Sequence, residues 1–570
     1  DRINLLPTGT TFTNSNSSSR SISDGHNFNT DFEIKIDSTA SVYINPNFSK
    51  SKSKSKFSRN QKTTNEAFDE LNSSINSDYS ENENTNFATE ASFSKRFKKK
   101  ARGMSINLDI ETSKQDQFTN TNSATLFADA TPDDIRQQNR FEKNKDNKYR
   151  LEVRFGEPLT DSLRLSITSE VRYAKVDQRT NTFDFDAGSN TYSDYNSLQS
   201  NSVLSKEVTY FPSTGIIIGK SKTNGRINIG PEFVNYKTES NYLGTETNVN
   251  KNYIFPKIKG YISHQIGKST SIYANYNYGV TVPSATQLLP IEDVSNPLNT
   301  IVGNDNLDPT KSHNAYFGFN NYDYASRSGY YIYSGLTASK DAIVSSTVFD
   351  DNFKSTTTYE NVNNTLNSYL GGNWNKSFKK EKRKLSLSAG FSFNYNVNQG
   401  LTNAVLFESN EFAINPRVNL TWSIDELITI APSYRYAFSK TDFKNYVIDK
   451  ADNFTHNAKI EITSYFPKKL VIGNDFGYTY NSNIAGGFKK DFYLWNTSIG
   501  YNFFKDQLLA KVKVYDLLNQ NQNTRRSITP TAIIDSENTV LKRYVMFSLT
   551  YKIEKFGGKK KSENQMFFED

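Results

Sequence analysis

Apolar and polar residues alternate with a period of two along most of the chain. Between positions 163 and 173 the odd positions are almost all apolar, whereas the even positions include Arg164, Glu170 and Arg172. Successive side chains of a β-strand point to opposite faces, so each such segment has one apolar and one polar face. The pattern therefore predicts strands, and it places these three charged residues on a polar face.

These runs are too long for the strands of a soluble sandwich. One alternating run covers residues 385–397, whereas strands of globular proteins average ~5–6 residues. Between the runs, short turns alternate with longer polar segments. The ten short turns lie at 37–39, 97–101, 156–161, 222–224, 267–268, 325–327, 379–382, 424–426, 467–469 and 504–506. The longer segments lie at 52–85, 116–147, 179–201, 239–251, 283–309, 343–363, 399–410, 442–452, 483–489 and 517–539.

This rhythm is typical of a transmembrane antiparallel β-barrel, with short periplasmic turns and long extracellular loops. Ten turns join twenty strands, and a further strand is expected at 540–556. Parity then requires a rising strand within residues 1–12, which gives an all-β barrel of about 22 strands. We predict a single barrel domain at 1–556, with a partial first strand and the first outer loop in residues 1–25, followed by a basic and polar tail at 557–570. Arg164, Glu170 and Arg172 would then face the lumen.

Turn-forming residues dominate the sixth long segment, at 283–309. Proline fixes φ, while glycine and asparagine accept positive φ, so the segment predicts a chain of tight turns. Taken by composition alone, it also fits an ordinary surface loop. We select it as a candidate extracellular region for ligand or partner binding, on the basis of Pro283, Gln287, Leu288, Asn296, Pro297, Gly303, Asn304, Asn306, Leu307 and Pro309.

The same segment resembles the barrels of TonB-dependent outer-membrane receptors, in the order Pro, Gln-Leu, Asn-Pro and Gly-Asn-x-Asn-Leu-x-Pro. Three further motifs agree with this resemblance. They are Tyr-Asp-Leu-Leu-Asn at 515–519, Tyr-Glu-Asn-Val at 359–362 and Phe-Gly-Glu-Pro-Leu at 155–159. The last motif is similar to a branch of the family that is common in Bacteroidetes-type bacteria.

The resemblance implies an integral outer-membrane receptor that takes up a scarce nutrient, such as an iron chelate, a vitamin or a glycan. In that family a plug domain fills the lumen and couples the barrel to TonB. We find no plug within these residues and expect it upstream of Asp1. Residues 1–570 alone are expected to form a large, weakly selective pore.

The amino-acid composition excludes several other kinds of structure and site. The chain has no cysteine, which rules out disulfide scaffolds and thiolate metal sites, and its four histidines lack metal-ligand spacing. No stretch approaches the ~18 apolar residues of a membrane-spanning helix. We identify no catalytic residues, and we expect neither enzyme activity nor a cofactor or metal. The Thr-Pro-Asp-Asp segment at 131–134 predicts the start of a short helix in an outer loop.

Charge bears on the expected partners. The net charge is +8, and basic runs lie near both predicted rims of the barrel, at 50–56, 95–100, 379–384 and 559–561. Lysines near an anionic leaflet favour lipid phosphates, so outer-membrane lipid and lipopolysaccharide are expected partners, with solvated turns as the simpler alternative. The split between rims argues against nucleic acid. Two rival functions stay open: a subunit of a larger outer-membrane complex with a surface lipoprotein, and a passive porin-like channel.

Overall fold

The computed structural model describes residues 1–6, 9–351, 353–425, 427–484, 486–504, 506–529, 531–553, 555–556 and 559–560. Strands account for almost all of the regular structure. The first strands are β1 (Arg2–Leu6), β2 (Gly9–Asn29), β3 (Phe32–Lys35), β4 (Ala40–Thr64), β5 (Glu70–Arg96), β6 (Gly103–Phe127), β7 (Asp134–Pro158), β8 (Leu163–Asp186), β9 (Thr191–Tyr195), β10 (Asn201–Lys220), β11 (Thr223–Tyr242), β12 (Thr245–Gln265) and β13 (Thr270–Thr281).

The middle of the chain contains additional short hairpins between the long strands. Its strands are β14 (Glu292–Asn296), β15 (Asn299–Val302), β16 (Thr310–Asp323), β17 (Ser328–Lys340), β18 (Ala342–Phe349), β19 (Ser355–Val362), β20 (Thr365–Lys380), β21 (Arg383–Thr402), β22 (Val405–Ile414), β23 (Arg417–Ile424) and β24 (Ile428–Lys444). A 3-10 turn (Ser197–Gln199) and helix α1 (Ala285–Leu288) precede them.

The last strands are shorter. They are β25 (Lys450–Ser464), β26 (Leu470–Asn481), β27 (Asp491–Phe503), β28 (Leu508–Tyr515), β29 (Asn523–Thr529), β30 (Ala532–Asn538), β31 (Tyr544–Tyr551), β32 (Lys555–Phe556) and β33 (Lys559–Lys560). Strands β1 to β31 form one sheet, and β32 pairs only with β33 among the described strands. In the part of the chain that the structure describes, no helix is long and apolar enough to cross a membrane.

Successive long strands of the sheet pair antiparallel with their neighbours in the chain. If β2 with β3, and β22 with β23, are each counted as one interrupted strand, twenty-one long strands follow one another around the described sheet. Strand β1, of five residues, is the twenty-second: it pairs with β2 on one side and, on the other, with β30 of the β29–β30 hairpin that precedes β31. The predicted antiparallel barrel of about 22 strands is therefore confirmed, and β1 is the rising strand that parity required.

Each of the ten predicted short turns falls at a connection between two long strands, and these connections define the periplasmic end. Parts of four predicted turns, at 156–158, 223–224, 379–380 and 424, belong to the flanking strands, and residues 426 and 505 of two predicted turns lie outside the described residues. The opposite, outer end differs from the prediction, because most segments predicted as long loops are strand. Residues 52–85, for example, belong to β4 and β5 except for the turn at 65–69. Likewise, residues 9–25 lie in β2, so placing the first outer loop there was wrong. These polar segments keep the two-residue alternation, and their backbone groups pair across the sheet.

The strands are much taller on one side of the molecule. Strands β4 to β8, which we call the tall wall, contain 24 to 27 residues each, whereas crossing the bilayer needs ~9–11. The helix predicted from residue 131 is also absent from this described segment. The acidic residues of this segment instead contact strands of the tall wall. Asp133 accepts a hydrogen bond from the Phe127 amide at 3.1 Å, and Asp134 pairs with Arg136 at 2.5 Å.

The two faces of the tall wall differ as the alternation requires. On β8, Leu163, Ile167 and Val171 are exposed, and we call their side of the sheet the apolar face. On the opposite side, the polar face, Thr168 and Glu170 are buried. Near the carboxyl end, the last sheet strand stops at Tyr551 rather than at 556. Of the predicted tail, residues 557–558 and 561–570 lie outside the described residues.

Candidate ligand chamber at the outer end

Two loops fold together at the outer end of the barrel. Loop six (residues 282–309) contains α1 and the β14–β15 hairpin, and loop seven (residues 341–364) contains the β18–β19 hairpin. The hairpins join through parallel pairing of β15 with β19, in which Asn299 lies opposite Ser355. Loop six also contacts the tall wall, because the Arg136 guanidinium donates to the carbonyl oxygens of Val294 and Ser295 at 2.9 Å each.

Helix α1 is held by a reciprocal cap at its amino end. The Ser284 amide donates to Gln287 Oε1 at 2.9 Å, and the Gln287 amide donates back to the Ser284 carbonyl oxygen at 3.1 Å. This arrangement satisfies amide groups that the first helical turn leaves unpaired. Leu288 is fully buried against Tyr236 of β11 and Leu307. Gln287, Leu288 and Leu307 therefore fix the loop in place.

The Gly-Asn-x-Asn motif fixes the segment of loop six that leads back to the barrel. A Cβ atom on Gly303 would lie 2.2 Å from the Leu289 carbonyl oxygen, so no larger residue fits without displacing the backbone. The Asn304 side chain donates to the Tyr359 carbonyl oxygen at 2.9 Å and accepts from the Asn306 amide at 3.0 Å. The Gly-Asn-x-Asn motif of loop six thus contacts the Tyr-Glu-Asn-Val motif at 359–362 of loop seven.

A cavity of about 1240 Å³ lies between these loops and the polar face of the sheet. We call it the outer chamber. One side consists of polar-face residues from β1, β2 and β4 to β7, and the other of loop six, the tip of loop seven and β30. Its volume exceeds the ~300–1,000 Å³ of ordinary small-molecule sites. The chamber is therefore large enough for a ligand of several linked units.

Of the ten loop-six residues selected from the sequence, Asn296 and Pro297 line the outer chamber. Pro283 and Pro309 are buried where the loop leaves and rejoins the barrel. The other six belong to the contacts that shape the loop. Sequence reasoning missed the chamber wall itself, although the signal was present: Ser, Thr, Asn and Gln occupy alternate positions in the segments that were predicted to be loops.

Charged residues form a network lower on the polar face. Glu170 is only 2% exposed, and its carboxylate accepts from Arg172 at 2.7 Å, Arg150 at 3.1 Å and Lys259 at 3.3 Å. Arg172 in turn reaches Glu232 of β11 at 3.0 Å. These contacts tie β7, β8, β11 and β12 together on one face.

Arg164 lies on the same face but toward the periplasmic end of β8, opposite Pro158 of β7. The sequence thus placed all three charged residues on one face, whereas their partners on β7, β11 and β12 became visible only with the strand register. Among the described residues, no group of three or more His, Cys, Asp or Glu side chains is arranged to hold a metal ion.

The family model described as outer membrane protein beta-barrel family matches residues 95–447 and 433–551. The chain belongs to this family. It is an integral protein of the outer membrane, and the β-barrel predicted from alternation and turn rhythm is confirmed. Membership of a Bacteroidetes-type branch stays a prediction.

This family barrel is also similar to solved structures at low sequence identity. The outer membrane transporter YddB from Escherichia coli is 10% identical, with a TM-score of 0.43 over 93% of this chain and 76% of its own. The copper transporter OprC is 12% identical, with a TM-score of 0.42 over 82% and 74%. The ferric-catecholate import receptor Fiu from E. coli K12 is 10% identical, with a TM-score of 0.40 over 94% and 81%. No curated protein matches the sequence.

Proposed function

We propose that this chain is the membrane-spanning part of an outer-membrane uptake receptor for a scarce nutrient. In this proposal the outer chamber captures the solute, and the polar face that carries Arg164, Glu170 and Arg172 lines the lumen through which it passes. The observation that carries the proposal is the chamber itself. It lies at the outer end, opposite the periplasmic turns, and the motif-bearing loop six forms part of its boundary.

The loop contacts support a binding role because they fix the chamber before any ligand arrives. Loop six is anchored to β7 through Arg136, to β11 through Leu288 and to loop seven through Asn304. A loop anchored at three places loses little conformational freedom when it binds, so more of the contact energy appears as affinity. A loop that only connected two strands would not need these anchors.

Energised passage is the second part of the proposal. It rests on the motifs that resemble TonB-dependent receptors, and it expects a plug domain upstream of Asp1 through which TonB acts. The rival functions make different demands. A structural subunit needs a stable partner, such as a surface lipoprotein, whereas a passive channel needs an open lumen and no energy source.

Residues 1–570 contain no cysteine, which allows a direct test with single reporter thiols in the barrel. Ser55 of β4 lines the outer chamber, whereas Ser58 of the same strand is exposed on the apolar face. Ser55→Cys and Ser58→Cys would be introduced into the natural full-length gene and labelled on intact cells with a bulky, membrane-impermeant maleimide. Uptake of ferric citrate, cobalamin and maltoheptaose would then be measured with and without a protonophore.

The proposal expects protonophore-sensitive uptake of at least one probe, blocked by the label at position 55 and unchanged by the label at position 58. Uptake that is insensitive to the protonophore would favour the passive channel. Gene-independent uptake of every probe, together with stoichiometric co-purification of a lipoprotein, would favour the assembly role.

A further inference from the structure

The charges that line the outer chamber are nearly balanced. Four arginines and five acidic residues contribute to it. Several are engaged within the protein: Arg140 pairs with Glu142 at 2.9 Å, and Asp535 accepts two hydrogen bonds from Arg526, at 2.6 and 2.7 Å. Selective binding of an anionic chelate or a phosphate calls for a surplus of cations that the protein does not already pair. The chamber offers no such surplus among its described residues.

Neutral hydrogen-bonding groups dominate instead. Twenty-five of the forty lining residues are Ser, Thr, Asn or Gln. Their placement follows the sheet register: Ser55 lies opposite Ser80, and Ser80 opposite Thr119. Neighbouring strands lie ~4.8 Å apart, and residues on one face repeat every ~6.7 Å along a strand, so the wall is a regular grid of polar groups.

A hydroxyl group both donates and accepts, and an amide offers two donors beside one acceptor oxygen. A grid of such groups matches a ligand that also presents many hydroxyls at short, regular intervals. It offers an isolated charge no partner of opposite charge. The polar face of the tall wall therefore suits a polyhydroxylated ligand better than a charged one.

Two aromatic rings face this grid from the tip of loop seven. Phe349 and Phe353 stack with ring centroids 4.8 Å apart, and both line the chamber. Phe353 has a φ of 64°, a left-handed conformation that is uncommon and strained for a bulky residue. An aromatic face is electron-rich and attracts the weakly positive C–H groups on the flat side of a sugar ring. The loop thus presents an apolar surface opposite the hydrogen-bonding wall.

We propose that the outer chamber binds a neutral, polyhydroxylated ligand of oligosaccharide size, with its hydroxyls against the tall wall and a ring face against Phe353. This inference rests on the proposed function, since it names the class of solute that the receptor would capture. The volume of about 1240 Å³ fits a ligand of several sugar units.

The experiment measures how far a ligand protects the Ser55→Cys thiol in the otherwise natural, purified full-length protein. The rate of maleimide labelling would be recorded with maltoheptaose, cellohexaose, mannohexaose, ferric citrate or cobalamin, each at millimolar concentration. Ser58→Cys serves as the matched control outside the chamber. We expect at least one neutral oligosaccharide to slow labelling at position 55 about tenfold or more and to leave labelling at position 58 unaffected.

A second comparison tests the aromatic surface. Phe353→Ala, in the Ser55→Cys background, should weaken protection about tenfold, because it removes one ring contact. Phe504→Ala is the control, since Phe504 also has a left-handed φ, of 52°, but is 71% exposed at a periplasmic turn. Equal effects of the two variants would overturn the assignment of Phe353.

The outcomes separate this inference from the proposed function. Protection by ferric citrate or cobalamin without protection by any neutral sugar would overturn the inference, but it would not contradict the proposed uptake function. Absence of protection by every probe would also overturn it, even if gene-dependent uptake persists. Protection by a sugar without any uptake would support the inference and contradict the transport proposal.

Discussion

Asn361 of β19 and Asp308 of loop six exchange two hydrogen bonds. The Asp308 amide donates to Asn361 Oδ1 at 2.8 Å, and Asn361 Nδ2 donates to the Asp308 carbonyl oxygen at 2.9 Å. The same Nδ2 group also donates to the Asp341 carbonyl oxygen at 2.7 Å. One side-chain amide thus joins the end of loop six to the start of loop seven.

Asn361→Asp should loosen loop six, because a carboxylate keeps the acceptor but cannot donate to either carbonyl oxygen. Leaving such groups unpaired costs ~1–3 kcal/mol. We expect faster proteolytic cleavage within loop six on intact cells, and weaker ligand protection of the Ser55→Cys reporter. Asn367→Asp is the control, since Asn367 is exposed and bonds to the Asn396 side chain. Equal cleavage of both variants would contradict this role.

The facing of β8 gives a second prediction. Ile167 is 52% exposed on the apolar face, near the middle of the segment expected to cross the bilayer. Ile167→Arg should reduce assembly into the outer membrane, because an arginine facing lipid near the midplane costs ~2–4 kcal/mol. Ile167→Phe keeps the position apolar and should assemble normally. The measurement is the folded fraction by heat-modifiable gel mobility, and comparable loss in both variants would refute lipid contact at this position.

The structure also changes one expectation about the neighbouring position. A lumen-facing Thr168 suggests that an arginine would be tolerated there. Thr168 is instead buried at 6% exposure, and its hydroxyl accepts a hydrogen bond from Asn228 Nδ2 at 3.1 Å. Alternation identifies the face on which a residue lies, but it does not reveal how closely neighbouring strands pack their side chains on that face.

The sequence predicted those features of the barrel that depend on local pattern, and it missed those that depend on packing between distant segments. Local alternation and turn residues are sufficient to place strands, faces and the ten periplasmic turns, because they depend on residues close in the chain. The outer loops were overestimated because Ser-Lys repeats at 50–56 look like loop by composition while pairing as strand in β4. The polar residues of the chamber wall alternate visibly in the sequence, but the chamber itself was not predictable. It joins β1, β2 and β4 to β7 with loops far away in sequence, and register alone brings Ser55 beside Ser80.

Glu170 provides a test of the lumenal assignment. Its carboxylate accepts from Arg150, Arg172 and Lys259, so Glu170→Gln leaves these cations with less compensation. If the polar face lines the lumen, ion selectivity in planar bilayers should move toward anions. Glu81→Gln is the control, because Glu81 is a half-exposed partner of Lys54 outside the chamber. An unchanged reversal potential for Glu170→Gln would place the network outside the conduction path.

Glu157 links two periplasmic turns and predicts a pH dependence. Arg102 donates to its carboxylate at 2.8 and 2.9 Å, and Lys99 donates at 2.6 Å. These hydrogen bonds, that of Arg102 first, lower the pKa of Glu157 from 4.5 to about 2. A lowered pKa means that the stabilisation is complete above the ordinary value and is lost as the pH falls through the folded value.

The measurable consequence is a difference in Tm between the natural protein and Glu157→Gln. It should be present at pH 7 and should shrink between about pH 4.5 and 2, because protonation then removes the same charge that the substitution removes. A difference that stays constant across this range would show that the ion pairs do not stabilise the turn.

A cationic cluster just above the expected bilayer bears on the lipopolysaccharide partner, which stays a prediction. It lies on the apolar face of the sheet, two or more residues closer to the outer end than Tyr149 and Tyr173. These two tyrosines stack with ring centroids 6.2 Å apart. Tyrosines gather where bilayer meets water, so the cluster sits at the height of lipid phosphates. Its cations are Lys143, Lys145, Lys175 and Arg179 of the tall wall and Lys206 of β10, and it includes one acid, Asp177, which pairs with Arg179 at 3.2 Å.

Replacing the three tall-wall lysines of this cluster by glutamine should weaken binding of purified lipopolysaccharide in detergent, because each cation near an anionic surface contributes ~1 kcal/mol. Together they predict a loss of about 100-fold in affinity. The matched control replaces Lys50, Lys52 and Lys54, which already pair with Glu83 at 2.5 and 2.8 Å and with Glu81 at 2.9 Å. Because those acids neutralise the control lysines, their loss should change affinity less than about tenfold. Equal losses from the two triple variants would mean that lipopolysaccharide responds to overall charge rather than to this cluster.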